Sequence, residues 1–143
     1  MTRLLPRGLP AIAAVVVLFA ACSRPVPGEV SRRQLQWQRK HVANYDFVFF
    51  RESMVGRCSL LIEVRHGKVA SARRQQKCAW PLDPADAPTI DGVFASVKSE
   101  YRRHHVEASY DSTYGYPTGV GVDPIKNAID DEWGFGVASF HAV

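Results

Sequence analysis

The sequence predicts an α+β domain: an antiparallel sheet of about five to six strands, with an N-terminal helix and one central amphipathic helix packed on one face. Segments in which apolar and polar residues alternate fall in two groups, Tyr45–Arg73 and Val106–Phe140. One stripe with helical spacing, Ile90–Tyr101, lies between them. Short turns within each group favour antiparallel neighbours, because parallel strands need long crossover connections.

The first 21 residues are predicted to be a signal peptide, outside the folded domain. Arg3 and Arg7 precede an apolar run, Ala11–Ala21, which is too short to span a bilayer as a helix. The run ends in "LFAAC", and the small residues directly before Cys22 resemble the lipobox of bacterial lipoproteins. The resemblance implies cleavage before Cys22 and diacylation of its thiol. The alternative is an ordinary secretory signal that a cysteine happens to follow.

Residues 22–30 are then predicted to be the lipidated cysteine and a flexible tether, and residues 31–143 a single domain. The stretch "SRPVPGE" after Cys22 has two prolines, one glycine and no apolar periodicity, which is typical of a tether. We expect the lipid to hold the domain on the extracytoplasmic face of the cell envelope. Ser23 after the cysteine, where an aspartate would favour inner-membrane retention, indicates the outer membrane in a Gram-negative host.

Charge argues against a nucleic-acid partner. Removal of Arg3 and Arg7 with the signal lowers the formal net charge from +4 to +2, so the basic character of the precursor says little about the domain. Export separates the chain from nucleic acid, and no recognition motif is present. The chain that remains has the size of one domain.

The N-terminal helix is predicted to begin at a capping box formed by Ser31 and Gln34, with Val30 packing on Leu35 as a hydrophobic staple. The aromatic segment Tyr45–Glu52 follows as a strand. Both faces of this strand are apolar, so we expect it in the interior of the sheet.

A hairpin is predicted around a two-residue turn at His66–Gly67. That turn places Val64 opposite Val69 and Ile62 opposite Ser71. The same register brings the cysteines that flank the hairpin close to each other.

Cys58 and Cys78 are predicted to form a disulfide. If Cys22 carries lipid, these two remain as an even pair in an oxidising compartment. The alternative is a reactive thiol with a histidine base.

The central helix is predicted to be capped by Thr89, with cations at its C-terminal end that complement the helix dipole. A second hairpin follows, with "YDSTYGYPTGVGVD", Tyr110–Asp123, at its turn. Gly115 can take the positive φ that this turn needs.

Two interpretations of this turn stay open. Aromatic and acidic side chains here could form a binding surface for a glycan, a lipid or a partner protein. Alternatively, the tyrosines pack over the end of the sheet and Asp111 makes an Asx-type turn. The candidate binding residues are Asp111, Tyr114, Tyr116, Asp123 and Trp133.

No metal and no cofactor are predicted. The five histidines show no recognisable ligand spacing, and neither a G-x-S-x-G motif nor a glycine-rich phosphate loop occurs in the sequence. A calcium site is a weaker alternative, because carboxylates cluster around the second hairpin although none of them matches an EF-hand loop. Those carboxylates belong to Asp111, Asp123, Asp130, Asp131 and Glu132.

Several stretches taken in order resemble a known family. They are "YDFVFFRE", "VRHGKV", "TIDGVF", "YDSTYGYPTGVGVD" and "DDEWGFGVASF", which together extend over about Trp37 to Phe140. This order is similar to that of an uncharacterised group of bacterial lipoproteins and secreted proteins, domain of unknown function 6174. The resemblance implies an envelope-facing domain and brings no catalytic residue with it.

These observations favour a lipid-anchored, non-enzymatic envelope protein that binds an envelope protein or glycan, or has a structural role. One alternative is a small envelope hydrolase or transferase that uses Asp111, Asp123 and Asp131. Another is an inhibitor of an envelope enzyme.

Overall fold

A computed structural model describes residues 24–79, 82–126, 128 and 130–143. The predicted signal peptide and Cys22 lie outside the described residues. Within them, neither α-helix is both long and apolar enough to cross a membrane. The elements in chain order are α1 (Gly28–Arg39), β1 (Tyr45–Ser53), β2 (Gly56–Arg65), β3 (Lys68–Arg74), a short 3-10 helix (Pro84–Asp86), α2 (Ile90–Arg103), β4 (His105–Tyr110), β5 (Pro117–Asp123) and β6 (Trp133–Ala142).

The six strands form one antiparallel sheet in the order β3-β2-β1-β6-β5-β4. This sheet and the two α-helices confirm the predicted α+β fold. β1 lies between β2 and β6, in agreement with its two apolar faces. Phe50 is only 5% exposed, and the Arg57 guanidinium lies 4.1 Å from its ring centroid.

The hydrophobic core lies between the two helices and one face of the sheet. Alternate residues of β1, namely Tyr45, Phe47 and Phe49, join this core. From α1, the Trp37 ring meets the Tyr45 ring edge-on, with 5.3 Å between centroids. α2 contributes its predicted stripe of Ile90, Val93, Phe94 and Val97. In the described chain no helix covers the opposite face, which we call the open face.

α1 begins at Gly28, so the predicted capping box at Ser31 is wrong. Val30 is 1% exposed and belongs to the core, whereas Leu35 is 45% exposed, and the two do not form a staple. The helix must begin before Val30 to place that side chain in the core. Gly28–Val30, predicted as tether, is therefore helical.

α2 begins as predicted. The Thr89 side chain accepts a hydrogen bond from the Gly92 N–H at 3.2 Å, which is a standard N-cap. The Tyr45 hydroxyl accepts another from the Ile90 N–H at 3.1 Å. Burial raises the pKa of Tyr45, so its hydroxyl stays neutral in this position.

The hairpin of β2 and β3 has the predicted turn but a shifted register. Val64 lies opposite Val69 as predicted, but Ile62 lies opposite Ala72 and not opposite Ser71. The irregularity falls between Glu63 and Val64. This irregularity turns Ala72 toward the face of the sheet that the helices cover, where Ala72 packs against the core.

A disulfide joins Cys58 to Cys78, as predicted, with 5.3 Å between their Cα atoms. Beyond β3, the Gln75 N–H donates to the Ser59 carbonyl oxygen at 3.1 Å, which keeps the chain beside β2 as it approaches Cys58. Cys58 is fully buried, so the bond lies against the core.

The two ends of the sheet differ in what they carry. Strand pairing aligns the start of β4 and the end of β5 with the start of β6 and the end of β1. The Arg24 N–H donates to the Arg102 carbonyl oxygen at the C-terminal end of α2, which leads directly into β4. We call this the tether end, and the opposite end, where Tyr45 pairs with Val64, the far end.

Candidate functional site

The predicted binding turn lies at the far end and is held by its own hydrogen bonds. Asp111 Oδ1 accepts from the backbone N–H groups of Thr113 at 2.9 Å and Tyr114 at 2.6 Å. Gly115 has φ +87°, a conformation that favours glycine. The Asp111 carboxylate is therefore part of the turn, as the Asx-type interpretation expected.

Tyr114 and Tyr116 pack inward. Their ring centroids lie 4.9 Å and 5.0 Å from that of Phe140. Burial raises the pKa of Tyr116, with the Asp111 carboxylate acting in the same direction. Gln36 of α1 donates to the Ser112 carbonyl oxygen at 2.8 Å, so the turn is also joined to the helix. These contacts agree with the interpretation in which the tyrosines pack over the end of the sheet.

Asp123 and Trp133 lie at the other end of the sheet, the tether end. The length of β5 separates them from the tyrosine turn by about 20 Å. The Trp133 ring lies under the Arg51 guanidinium, 4.9 Å from its carbon, and stacks on Phe135. The structure thus divides the five predicted residues into two groups at opposite ends of the sheet.

A groove of about 870 Å³ lies on the open face, over β4, β5, β6 and the end of β1. Strand pairing explains its shape, because one row across the sheet reads Glu107, Gly121, Gly134, Glu52. Two glycines thus form the floor, and a glutamate stands on either side. Neighbouring strands are about 4.8 Å apart, so the Cα atoms of the two glutamates are about 14 Å apart.

The two glycines of the floor differ in how closely they are packed. A Cβ on Gly134 would lie 3.0 Å from the Val120 carbonyl oxygen and 3.5 Å from the Glu52 side chain, so the space above Gly134 is already occupied. A Cβ on Gly121 would meet nothing closer than 3.9 Å, the Glu107 carbonyl oxygen. Gly121 is also exposed. The space above Gly121 is therefore open to a ligand.

Carboxylates dominate the charge of the groove. Glu52 is paired with Arg57 at 2.6 Å, whereas Glu107, Asp123 and Glu132 form no ion pair within the described residues. Among the residues lining the groove, His105 is the one basic side chain that the structure describes. The groove is consequently suited to a cation.

A metal centre does not emerge from the described part of the chain, where no three His, Cys, Asp or Glu side chains are grouped to hold an ion. Within the described residues, Asp123 Oδ1 and both carboxylate oxygens of Asp131 are buried without a hydrogen-bond partner. Asp111, which the calcium alternative would include, lies at the far end. Any cation contact of Asp123 and Asp131 would therefore not involve Asp111.

A family model described as "Family of unknown function (DUF6174)" matches residues 29–142. The chain belongs to this family. The match runs from the first turn of α1 to the end of β6, so the groove lies wholly within the DUF6174 domain. The family resemblance drawn from the sequence is confirmed. Among curated proteins, none matches this chain.

Sequence reasoning missed most of the groove of the DUF6174 domain, including Glu52, Glu107 and Gly121. One signal was present: in "TGVGVD" and "WGFGVA" glycines alternate with apolar residues. Such alternation places all the glycines of each strand on one face. The sequence predicted the hairpin of β4 and β5, but not the pairing of β6 with β5 and β1 that completes the groove.

Proposed function

We propose that this protein is a lipid-anchored domain of the cell envelope whose open-face groove binds an extended, basic polypeptide segment of another envelope component. The row of Glu107, Gly121, Gly134 and Glu52 carries the proposal. Its role is binding and not catalysis. The lipobox-like "LFAAC" supports the anchor, and the acidic groove supports the class of ligand.

Dimensions favour an extended chain. The Cα atoms of Glu107 and Glu52 are about 14 Å apart, three times the spacing of about 4.8 Å between neighbouring strands, so one extended backbone fits between them over Gly121. Lysine and arginine side chains of that backbone can then reach the carboxylates on either side. Glu107 is the better partner, because Glu52 already binds Arg57.

Gly121→Val tests the groove without altering its charge. We expect binding of a fluorescently labelled oligolysine peptide, measured by anisotropy at low salt, to weaken about tenfold or more, which is about 1.4 kcal/mol. The valine fills the space in which the ligand backbone would lie. Stability should hold, because a Cβ at Gly121 meets ordinary contacts and valine is a good strand residue.

Two further variants complete that test. Ala70→Val adds similar bulk at an exposed position of the edge strand β3 and should leave binding unchanged. Glu107→Gln should weaken binding about three- to tenfold, more at low salt than at high salt. If Gly121→Val binds oligolysine as well as the parent does, the peptide is held by general charge and the groove is not its site.

The enzymatic alternative needs Asp111, Asp123 and Asp131 to act together. Asp111 holds the tyrosine turn at the far end, and Asp123 lies at the tether end. Carboxylates that share a reaction lie within about 10 Å of each other, so the separation of these two supports the binding function over a hydrolase.

The anchor makes a separate prediction. Mass spectrometry of the protein purified from host membranes is expected to find an N-terminal Cys22 that carries a diacylglycerol. Cys22→Ser should release the protein into the soluble extract. Cleavage at another position, or an unmodified Cys22, would contradict the anchor and leave the groove experiment unaffected.

A further inference from the structure

The structure fixes where the chain leaves the domain toward its N-terminus. The Arg24 N–H donates to the Arg102 carbonyl oxygen at 3.2 Å, at the C-terminal end of α2. Cys22 precedes Arg24 by two residues, and consecutive Cα atoms are 3.8 Å apart, so its Cα lies within about 8 Å of that of Arg24. If Cys22 carries the proposed lipid, the membrane surface begins close to this end of the domain.

The tether end also carries large apolar side chains that the domain leaves exposed. Met54 and Val55, in the turn between β1 and β2, are 66% and 73% exposed. Ile125, just after β5, is 64% exposed. Single exposed apolar side chains are ordinary on a protein surface, but those that enter the acyl boundary of a bilayer are stabilised there.

Charged groups border these apolar side chains. Arg24, Arg102, Arg103 and Lys126 are exposed at the same end, where they can meet lipid headgroups. Asp130 and Glu132 are exposed there too, so the net charge of this end is mixed. Apolar contact must therefore supply the specific part of the interaction.

The geometry points to the tether end as a membrane-contacting surface, in which Met54, Val55 and Ile125 enter the bilayer beside the lipid on Cys22. This inference rests on the proposed lipid anchor. It gives the domain a fixed orientation: the far end, with Val69 and the tyrosine turn, points away from the membrane. The groove opens sideways, and its end at His105 and Asp123 is nearest the lipid.

The test attaches the mature chain, which starts at Cys22, to vesicles of phosphatidylcholine and phosphatidylglycerol through a maleimide lipid. Cys22 is the one thiol available, because Cys58 and Cys78 are bonded. Val55→Trp and, separately, Met54→Trp place a fluorophore in the turn, and Val69→Trp places one at the far end. Acyl-chain bromination is expected to quench the added emission of the first two variants and to leave that of Val69→Trp unchanged.

Equal quenching at both ends, or none at Val55 and Met54, would overturn the orientation. Absence of quenching on vesicles, combined with protection of the turn from chemical labelling in cells, would also overturn it. A protein partner would then cover the turn. Chemical coupling makes these outcomes independent of cellular lipidation. Failure of the anchor would appear only in the mass spectrum of the native protein.

Discussion

Replacing Gly115 with alanine is expected to lower the free energy of unfolding by about 3 kcal/mol. Gly115 has φ +87°, and a left-handed conformation costs an L-residue with a side chain about 1 to 2 kcal/mol. The new Cβ would also lie 2.7 Å from the Arg33 carbonyl oxygen, a backbone atom of α1 that cannot move alone. The turn and the helix would have to separate.

Gly67→Ala is the matched control for this change. Gly67 has φ +73°, but no atom lies within 4 Å of the position that a Cβ would take. This variant should therefore show only the conformational cost, about 1 to 2 kcal/mol. Urea unfolding of both variants separates the free-energy cost of the left-handed conformation from the cost of the close approach to α1. Equal losses would mean that α1 does not pack on the tyrosine turn as described.

Removing the disulfide in Cys58→Ala/Cys78→Ala is expected to cost roughly 3 kcal/mol. The two residues are 20 positions apart, and the bond limits the conformations of the unfolded chain between them. Cys58 is fully buried, so the variant also loses sulfur contacts in the core. The midpoint temperature of thermal unfolding, measured by circular dichroism, should fall by roughly 10 °C.

Reductant supplies the control for the disulfide. Reducing the parent protein should destabilise it by somewhat less than the double substitution does, since both remove the same cross-link but the reduced parent keeps its buried sulfur atoms. The double variant itself should not respond to reductant. A parent protein whose unfolding midpoint is the same with and without reductant would contradict a stabilising bond between these cysteines.

The sequence predicted the parts of this fold that depend on local pattern. Apolar residues on both faces of Tyr45–Glu52 predicted a strand in the sheet interior, and the Thr89 cap predicted the start of α2. The start of α1 was missed because burial of Val30 in the core outweighs the capping preference of Ser31. Rules based on local sequence do not include the free energy gained by burying Val30 in the core.

The groove could not be predicted because it forms only when strands that are distant in sequence pair with one another. Glu52 and Glu107 are distant in sequence and become the two sides of one row only when β1 pairs with β6 and β4 with β5. The alternating glycines of β5 and β6 indicated a face without side chains. Nothing in either segment indicated that Gly121 would lie opposite Gly134.

The pairing of β1 with β6 also has a consequence for biogenesis. Tyr45 pairs with Ala142, so the pairing of β1 with β6 at the centre of the sheet cannot be completed until Ala142 is available. If the chain is exported N-terminus first, as proposed, the pairing of β1 with β6 therefore stays open through most of its passage. Before that, β1, β2 and β3 can pair with one another, β4 can pair with β5, and the local helices can form. The bond from Cys58 to Cys78 can therefore join β2 to the segment after β3 before the domain is complete.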